Sequence, residues 1–300
     1  MSERPEQKFP LNINKVKFAL GNFKWICLIV LTLICTGNLL AVRMSPAAFT
    51  AQNIPIGTEF DLSVPLTIRL SENDTIAKKF TVTPLLPSEV RSEWLAGYEE
   101  IPSADFLKIG GEGDIFVSPR EPAIRRLLIE FPDDNSLLNR HFLVHLRVMP
   151  QDVSGMFQAV LVGSYLLETS PSADRFTKPG GHPISVSPSI VAFDSLGFAT
   201  VRIYNNHDSA LEVILRLDIP PQTDKMQVEL TRGFIRGVLG DGVSIDKSKI
   251  LVQAGGFEDV TIRIKPDFRA TISRNSEYIL WLEVPGFEKS ERFIRVHYRP

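Results

Sequence analysis

Two histidines, His141 and His145, stand four residues apart, the spacing at which a helix would offer both imidazoles to one metal ion. Their segment, 141–148, reads as a strand, where four residues span about 13 Å. The pair therefore cannot share an ion, and both read as surface or edge histidines. His182, His207 and His297 are isolated. Glu99-Glu100 and Asp133-Asp134 are adjacent carboxylates. Neighbours on a strand point to opposite faces, so neither pair makes a general acid and base, and both read as solvated loops. The run Gly110-Gly111-Glu112-Gly113-Asp114 has the composition of a phosphate loop. Such a loop needs a helix N-terminus after it. Residues 115–118 are instead strand-like and stopped by Pro119, so a hairpin turn is expected. Gly240-Asp241-Gly242 with Asp246 lacks the spacing and closing Glu of an EF-hand loop, and reads as a turn.

Nucleophiles are equally scarce. No Gly-x-Ser-x-Gly elbow occurs. The two cysteines, Cys27 and Cys35, both lie in an apolar N-terminal segment. From Arg43 onward no disulfide, cysteine nucleophile or cysteine-ligated metal site can exist. A hydrolase would need a triad assembled across strands. The expectation is a protein that is not an enzyme, with no metal and no small-molecule cofactor. Trp94, Tyr98 and Phe106 lie in the longest irregular stretch of the first half. They form either a contact surface or a satellite core under the loop. Asn73-Asp74-Thr75 is a glycosylation sequon, meaningful only in a eukaryotic secretory pathway.

The elements that must carry these residues are strands. Phe60-Asp61-Leu62-Ser63-Val64, Leu66-Thr67-Ile68-Arg69-Leu70 and Phe80-Thr81-Val82 have a period of two. Strands are also expected over 124–131, 141–148 and 157–167. A second set covers 184–188, 190–193, 199–205, 212–217, 228–230, 249–253, 260–264, 278–284 and 293–298. A hydrophobic content of 44% is globular, and a net charge of −2 gives no drive towards nucleic acid. The fold expected is all-β: two tandem immunoglobulin-like β-sandwich domains after an N-terminal transmembrane helix. Their bounds are 56–170 and 184–300, with linkers at 43–55 and 171–183.

Residues 25–42, WICLIVLTLICTGNLLAV, carry no charge and reach the low end of a membrane span. Arg4, Lys8, Lys15, Lys17 and Lys24 precede them, while Arg43 alone stands after them. The positive-inside rule puts 1–24 in the cytoplasm and the rest outside. The long basic lead favours a signal anchor; Ser45-Pro46-Ala47 keeps a cleaved signal peptide open. The exported part lacks cysteine, which favours a bacterium: a single pass through the inner membrane with the sandwiches in the periplasm.

The second domain opens with ISVSPSIVAFDSLGFATVRIYNN, continues through VSIDKSKILVQAGGFEDVTIRI, and ends with RNSEYILWLEVP and FIRVHYRP. This arrangement, closing on Tyr298-Arg299-Pro300, resembles the N-terminal domain of periplasmic pilus-assembly chaperones. The resemblance covers about 184–300. It implies that the last strand lends alternating side chains, Ile294, Val296 and Tyr298, from an edge to another protein. It also implies that Arg295 holds that partner's terminal carboxylate. Ile190 stands near the family's second basic position, and the family's own second domain is replaced by a different one in front. The function expected is a non-enzymatic membrane-anchored envelope protein that binds other proteins, in the sharper version during pilus or surface-fibre assembly. The alternative is a carbohydrate- or matrix-binding pair, with Trp94 and Tyr98 as its contact aromatics.

Overall fold

Strand alternation puts every second side chain on one face. In Leu66–Arg69 the buried residues are Leu66 and Ile68; in Phe257–Ile264 they are Val260, Ile262 and Ile264. The computed structural model describes residues 42–72, 74–90, 97–111, 113–151, 160–174, 182–219 and 228–300. The unit Val42–Pro300 contains two successive β-sandwiches and is all-β apart from short helical turns such as Pro266–Arg269.

In the first sandwich one layer runs in the order Ala48–Ile54, Leu161–Thr169, His141–Pro150, Lys78–Leu85 and Ile115–Val117, with Glu99–Glu100 also paired to His141–Pro150. The other layer is a pair of three-stranded sheets. One joins Arg43–Ser45, Leu66–Arg69 and Ala123–Arg125; the other joins Glu59–Asp61, Leu127–Glu130 and Leu107–Ile109. Phe80, Val117, Phe142, Val144 and Tyr165 meet Leu66, Ile68, Leu107, Leu127 and Ile129 between the layers. Each such buried aliphatic or aromatic side chain contributes about 1.5–3 kcal/mol relative to exposure.

The second sandwich pairs Ile184–Ser187, Phe198–Asn205, Phe257–Ile264 and Val243–Ile245 in one sheet. Its other sheet runs Ile190–Ala192, Arg292–Tyr298, Ser276–Glu283, Leu211–Asp218 and Lys249–Val252, with Ile235–Arg236 added beside Ser276–Glu283. Both sandwiches close alike. An early strand lies parallel to the last one: Ala48–Ile54 beside Leu161–Thr169, and Ile190–Ala192 beside Arg292–Tyr298.

Several expectations change. Residues 43–55, expected as a linker, form the strands Arg43–Ser45 and Ala48–Ile54. Met44, Phe49, Ala51 and Ile54 supply their core side, interrupted at Pro46, which hid the alternation. The strand expected over 124–131 is two strands in different sheets, divided at Arg126. The glycine run after Ile109 is no hairpin, because Leu107–Ile109 and Ile115–Val117 belong to different sheets. Val228 is buried but sits in no strand. Ser172, in the expected linker 171–183, donates its N–H to Asn139 Oδ1 at 2.8 Å, and Ser189 N, beyond that linker, donates to the same oxygen at 2.9 Å. Among the described residues no helix is long and apolar enough to cross a membrane; residues 25–41 of the expected span lie outside them, as do Trp94 and Asn73.

Candidate functional site

The strand Arg292–Tyr298, expected at an edge, is paired on both sides. Ile190–Ala192 lies against it in parallel and Ser276–Glu283 antiparallel. Ile294, Val296 and Tyr298 fill the core of the second sandwich. No apolar face is left to lend, because the core already holds it. Arg295 lies on the opposite face with an exposure of 0%, so it is not an open anchor for a carboxylate. Tyr98 is buried as well, and its hydroxyl donates to Glu168 Oε1 at 2.9 Å. A sugar cannot stack on it.

These residues meet at a junction between the two sandwiches. Arg295 donates from Nε and Nη2 to the two oxygens of Glu168, both at 2.6 Å. Its Nη1 donates to Glu277 Oε1 and to the Glu229 carbonyl. The other oxygen of Glu277 accepts from Thr231 N at 2.8 Å. Beside this group, Glu99 accepts from Arg140 of its own sandwich and from Arg292 of the second, the latter at 2.7 Å. Three arginines thus face three glutamates. A fork-shaped guanidinium suits such bidentate pairing, and full pairing is what makes buried charge tolerable.

Apolar side chains seal the same junction. Leu143, Leu166 and Tyr98 of the first sandwich pack with Val228, Ile279, Trp281 and Phe293 of the second. His141 stacks on Phe293 with centroids 3.9 Å apart. Gly97 has φ +82°, and a Cβ there would stand 2.5 Å from Phe293 Cδ1 and 2.9 Å from Trp281 Cζ3. Only glycine fits that backbone in that space.

The electrostatics result from burial and pairing. Burial alone would raise the Glu99 carboxyl, but Arg292 and Arg140 outweigh it and hold it down at about 2. Glu168 is likewise lowered, burial being overcome by Arg295. Burial lowers His141 to about 4, so it stays neutral near pH 7. Burial also raises the Tyr98 phenol, and neighbouring Glu168 adds to the effect. The expectation of surface histidines is thus corrected: His141 and His145 are both buried, and His145 Nδ1 lies 3.2 Å from Ser164 Oγ. Glu99 is no solvated loop residue either. Among the described residues no group of three possible ligands is placed to hold a metal ion.

A different part of the molecule is open. Among the described residues, Lys78–Leu85 is paired on one side over Phe80–Leu85 by His141–Pro150, but on the other only over Lys78–Phe80 by Ile115–Val117. Lys79 O accepts from Gln151 N at 2.9 Å on the first side. In an antiparallel ladder a residue aims its N–H and C=O to one side, and that side alternates. Val82 N–H and C=O, and Pro84 C=O, therefore point away from His141–Pro150. They border a groove of about 520 Å³ lined also by Leu107, Lys108 and Ile109, the edge strand of the facing layer. Phe116, 68% exposed, stands on the neighbouring strand under Lys79.

Sequence reasoning missed Arg140, Glu168, Glu277 and Arg292, and misread Glu99. The signal was present as apolar runs of both parities, Phe142-Leu143-Val144, Tyr165-Leu166-Leu167 and Ile279-Leu280-Trp281-Leu282. A strand apolar on both faces is covered on both faces, so charges beside such runs must pair.

No family model and no curated protein matches the chain. Among solved structures it is similar to a protein of unknown function from Porphyromonas gingivalis W83 (14% identity, TM-score 0.32, covering 86% of this chain and 99% of that one). It is also similar to the periplasmic chaperone SfaE (12% identity, TM-score 0.29, 85% and 99%). A third is the class 5 fimbriae chaperone CfaA (10% identity, TM-score 0.32, 87% and 100%). Periplasmic pilus chaperones, the class that the second sandwich resembles in sequence, are thus among the solved structures similar to this chain.

Proposed function

We propose that this chain is a non-enzymatic protein of the bacterial envelope, anchored in the inner membrane by residues 25–42, that binds another protein by accepting a strand. The anchor reading is supported by the uncharged run and its cationic lead. The observation that carries the binding site is the open stretch from Thr81 to Leu85 beside the groove. The occupant is an extended segment of a partner protein. Its backbone pairs with Val82 and Pro84, and its alternate side chains enter between Leu107 and Ile115. The direction is the reverse of the one that the sequence suggests: the first sandwich receives a strand, and the second keeps its last strand for its own core. A role in pilus or surface-fibre assembly is the setting that the sequence resemblance of the second sandwich favours.

The test places a photo-crosslinking residue at Lys108 in the full chain in native membranes. Crosslinks into an extended segment of one envelope protein, lost with Val82→Pro, support the reading. Proline there removes the outward N–H and leaves the hydrogen bonds to His141–Pro150, which Thr81, Thr83 and Leu85 make, in place. A partner crosslinked equally by the Val82→Pro chain refutes it.

A further inference from the structure

Arg43 is the only cation that the sequence places just beyond the apolar segment 25–42. Folding gives it company. Arg43–Ser45 pairs antiparallel with Leu66–Arg69, and the register sets Arg43 directly opposite Arg69. The turn Ser118-Pro119-Arg120-Glu121, closed by Glu121 N on Ser118 O at 3.3 Å, brings in Arg120. The three arginines line one pocket of about 650 Å³ with Leu70, Ser71, Pro119 and Pro122. Glu72 and Glu121 also line it. Among the described residues neither forms an ion pair with any of the three. Other exposed cations of this sandwich and the next do pair with carboxylates, as Arg126 does with Asp61 and Lys249 with Glu212. Like charges directly opposite on paired strands repel, so the register is unfavourable until an anion lies between them.

We infer that this pocket binds the phosphate of an anionic phospholipid headgroup. Guanidinium groups are suited to that chemistry, because a planar fork matches phosphate oxygens two at a time. The lipid source rests on the anchor reading: Arg43 comes immediately after residues 25–42, so a chain held there keeps the pocket's first residue at the membrane surface. Basic side chains at such a position attract anionic lipid. The pocket would then orient the sandwiches on the membrane as well as tether them.

The experiment uses the full chain in a neutral detergent. It is titrated calorimetrically with dihexanoyl phosphatidylglycerol, with dihexanoyl phosphatidylcholine and with glycerol phosphate. The expected result is binding of the phosphatidylglycerol at least tenfold tighter than either other probe, weakened tenfold or more by Arg69→Thr. The same variant, without lipid, should melt about 1–3 °C higher, because the opposed pair is gone. Equal binding of both lipids, or unchanged binding by Arg69→Thr, overturns the site. Glycerol phosphate binding as tightly as the lipid overturns the membrane source. Carbonate extraction of native membranes tests the anchor separately: a chain released by carbonate, yet still selective for phosphatidylglycerol, sinks the anchor and leaves the pocket standing.

Discussion

On the strand Arg292–Tyr298, Ile294, Val296 and Tyr298 enter a core of aliphatic side chains, while Phe293 and Arg295 enter the junction with the first sandwich. Both faces are buried but hold together differently. Aliphatic burial is non-directional, so the inner face tolerates changes that conserve volume. The outer face works only as a complete set, because each charge removed leaves its partners buried and unpaired. A strand can thus be permissive on one side and exacting on the other, with a change of side at every residue.

The largest effect expected comes from breaking the exacting face. Arg295→Met leaves Glu168 and Glu277 buried without their cation and should cost about 3–5 kcal/mol. Chemical denaturation measures this, and a loss below about 1 kcal/mol would erase the distinction between the faces. Adding Glu168→Gln and Glu277→Gln to that variant should return most of the stability, since the stranded charges are then gone.

Acid sharpens the same contrast. His141 and Glu99 both have folded pKa values below their unfolded ones, so each stabilises fully above its unfolded value and loses that stabilisation as pH falls. For His141 the window runs from about 6.5 down to about 4. For Glu99 it runs from about 4.5 down to about 2. Each contributes about 3 kcal/mol across its window. His141→Phe keeps the stack on Phe293 and should reduce the dependence of stability on pH between 6.5 and 4, leaving the shares of His182 and His145, which burial also lowers. An unchanged slope in denaturation curves across that window would assign it to other groups.

The smallest effect belongs to the permissive face. Ile294→Val removes one methylene from the core and should cost about 0.5–1.5 kcal/mol, with no change in the acid profile. A cost matching that of Arg295→Met would show that the two faces are coupled.

Most of the strands were legible in the sequence because their alternation survives in one dimension, as in Phe198–Asn205 and Phe257–Ile264. The membership of sheets was not. Arg126 divides what looks like one strand, because a change of sheet leaves the local pattern intact. The identity of the edges was hidden for a related reason. Nothing in Phe293-Ile294-Arg295-Val296-His297-Tyr298 records that Ile190–Ala192 will pair with it. Arg295, expected to hold a partner's terminal carboxylate, holds the carboxylate of this chain's own Glu168. Arg69 and Arg120 were unremarkable alone, and only the register of Arg43–Ser45 turns them into a cluster.

The parallel closure of each sandwich has a mechanical consequence. When a domain is pulled by its two ends, antiparallel terminal strands unzip one hydrogen bond at a time. Parallel ones are sheared, so their bonds share the force and must fail together; behind the opening strands Arg43–Ser45 and Ile184–Ser187, this chain has two such pairs, Ala48–Ile54 with Leu161–Thr169 and Ile190–Ala192 with Arg292–Tyr298. A chain built this way twice over, fixed at one end and drawn from the other, resists tension along its length.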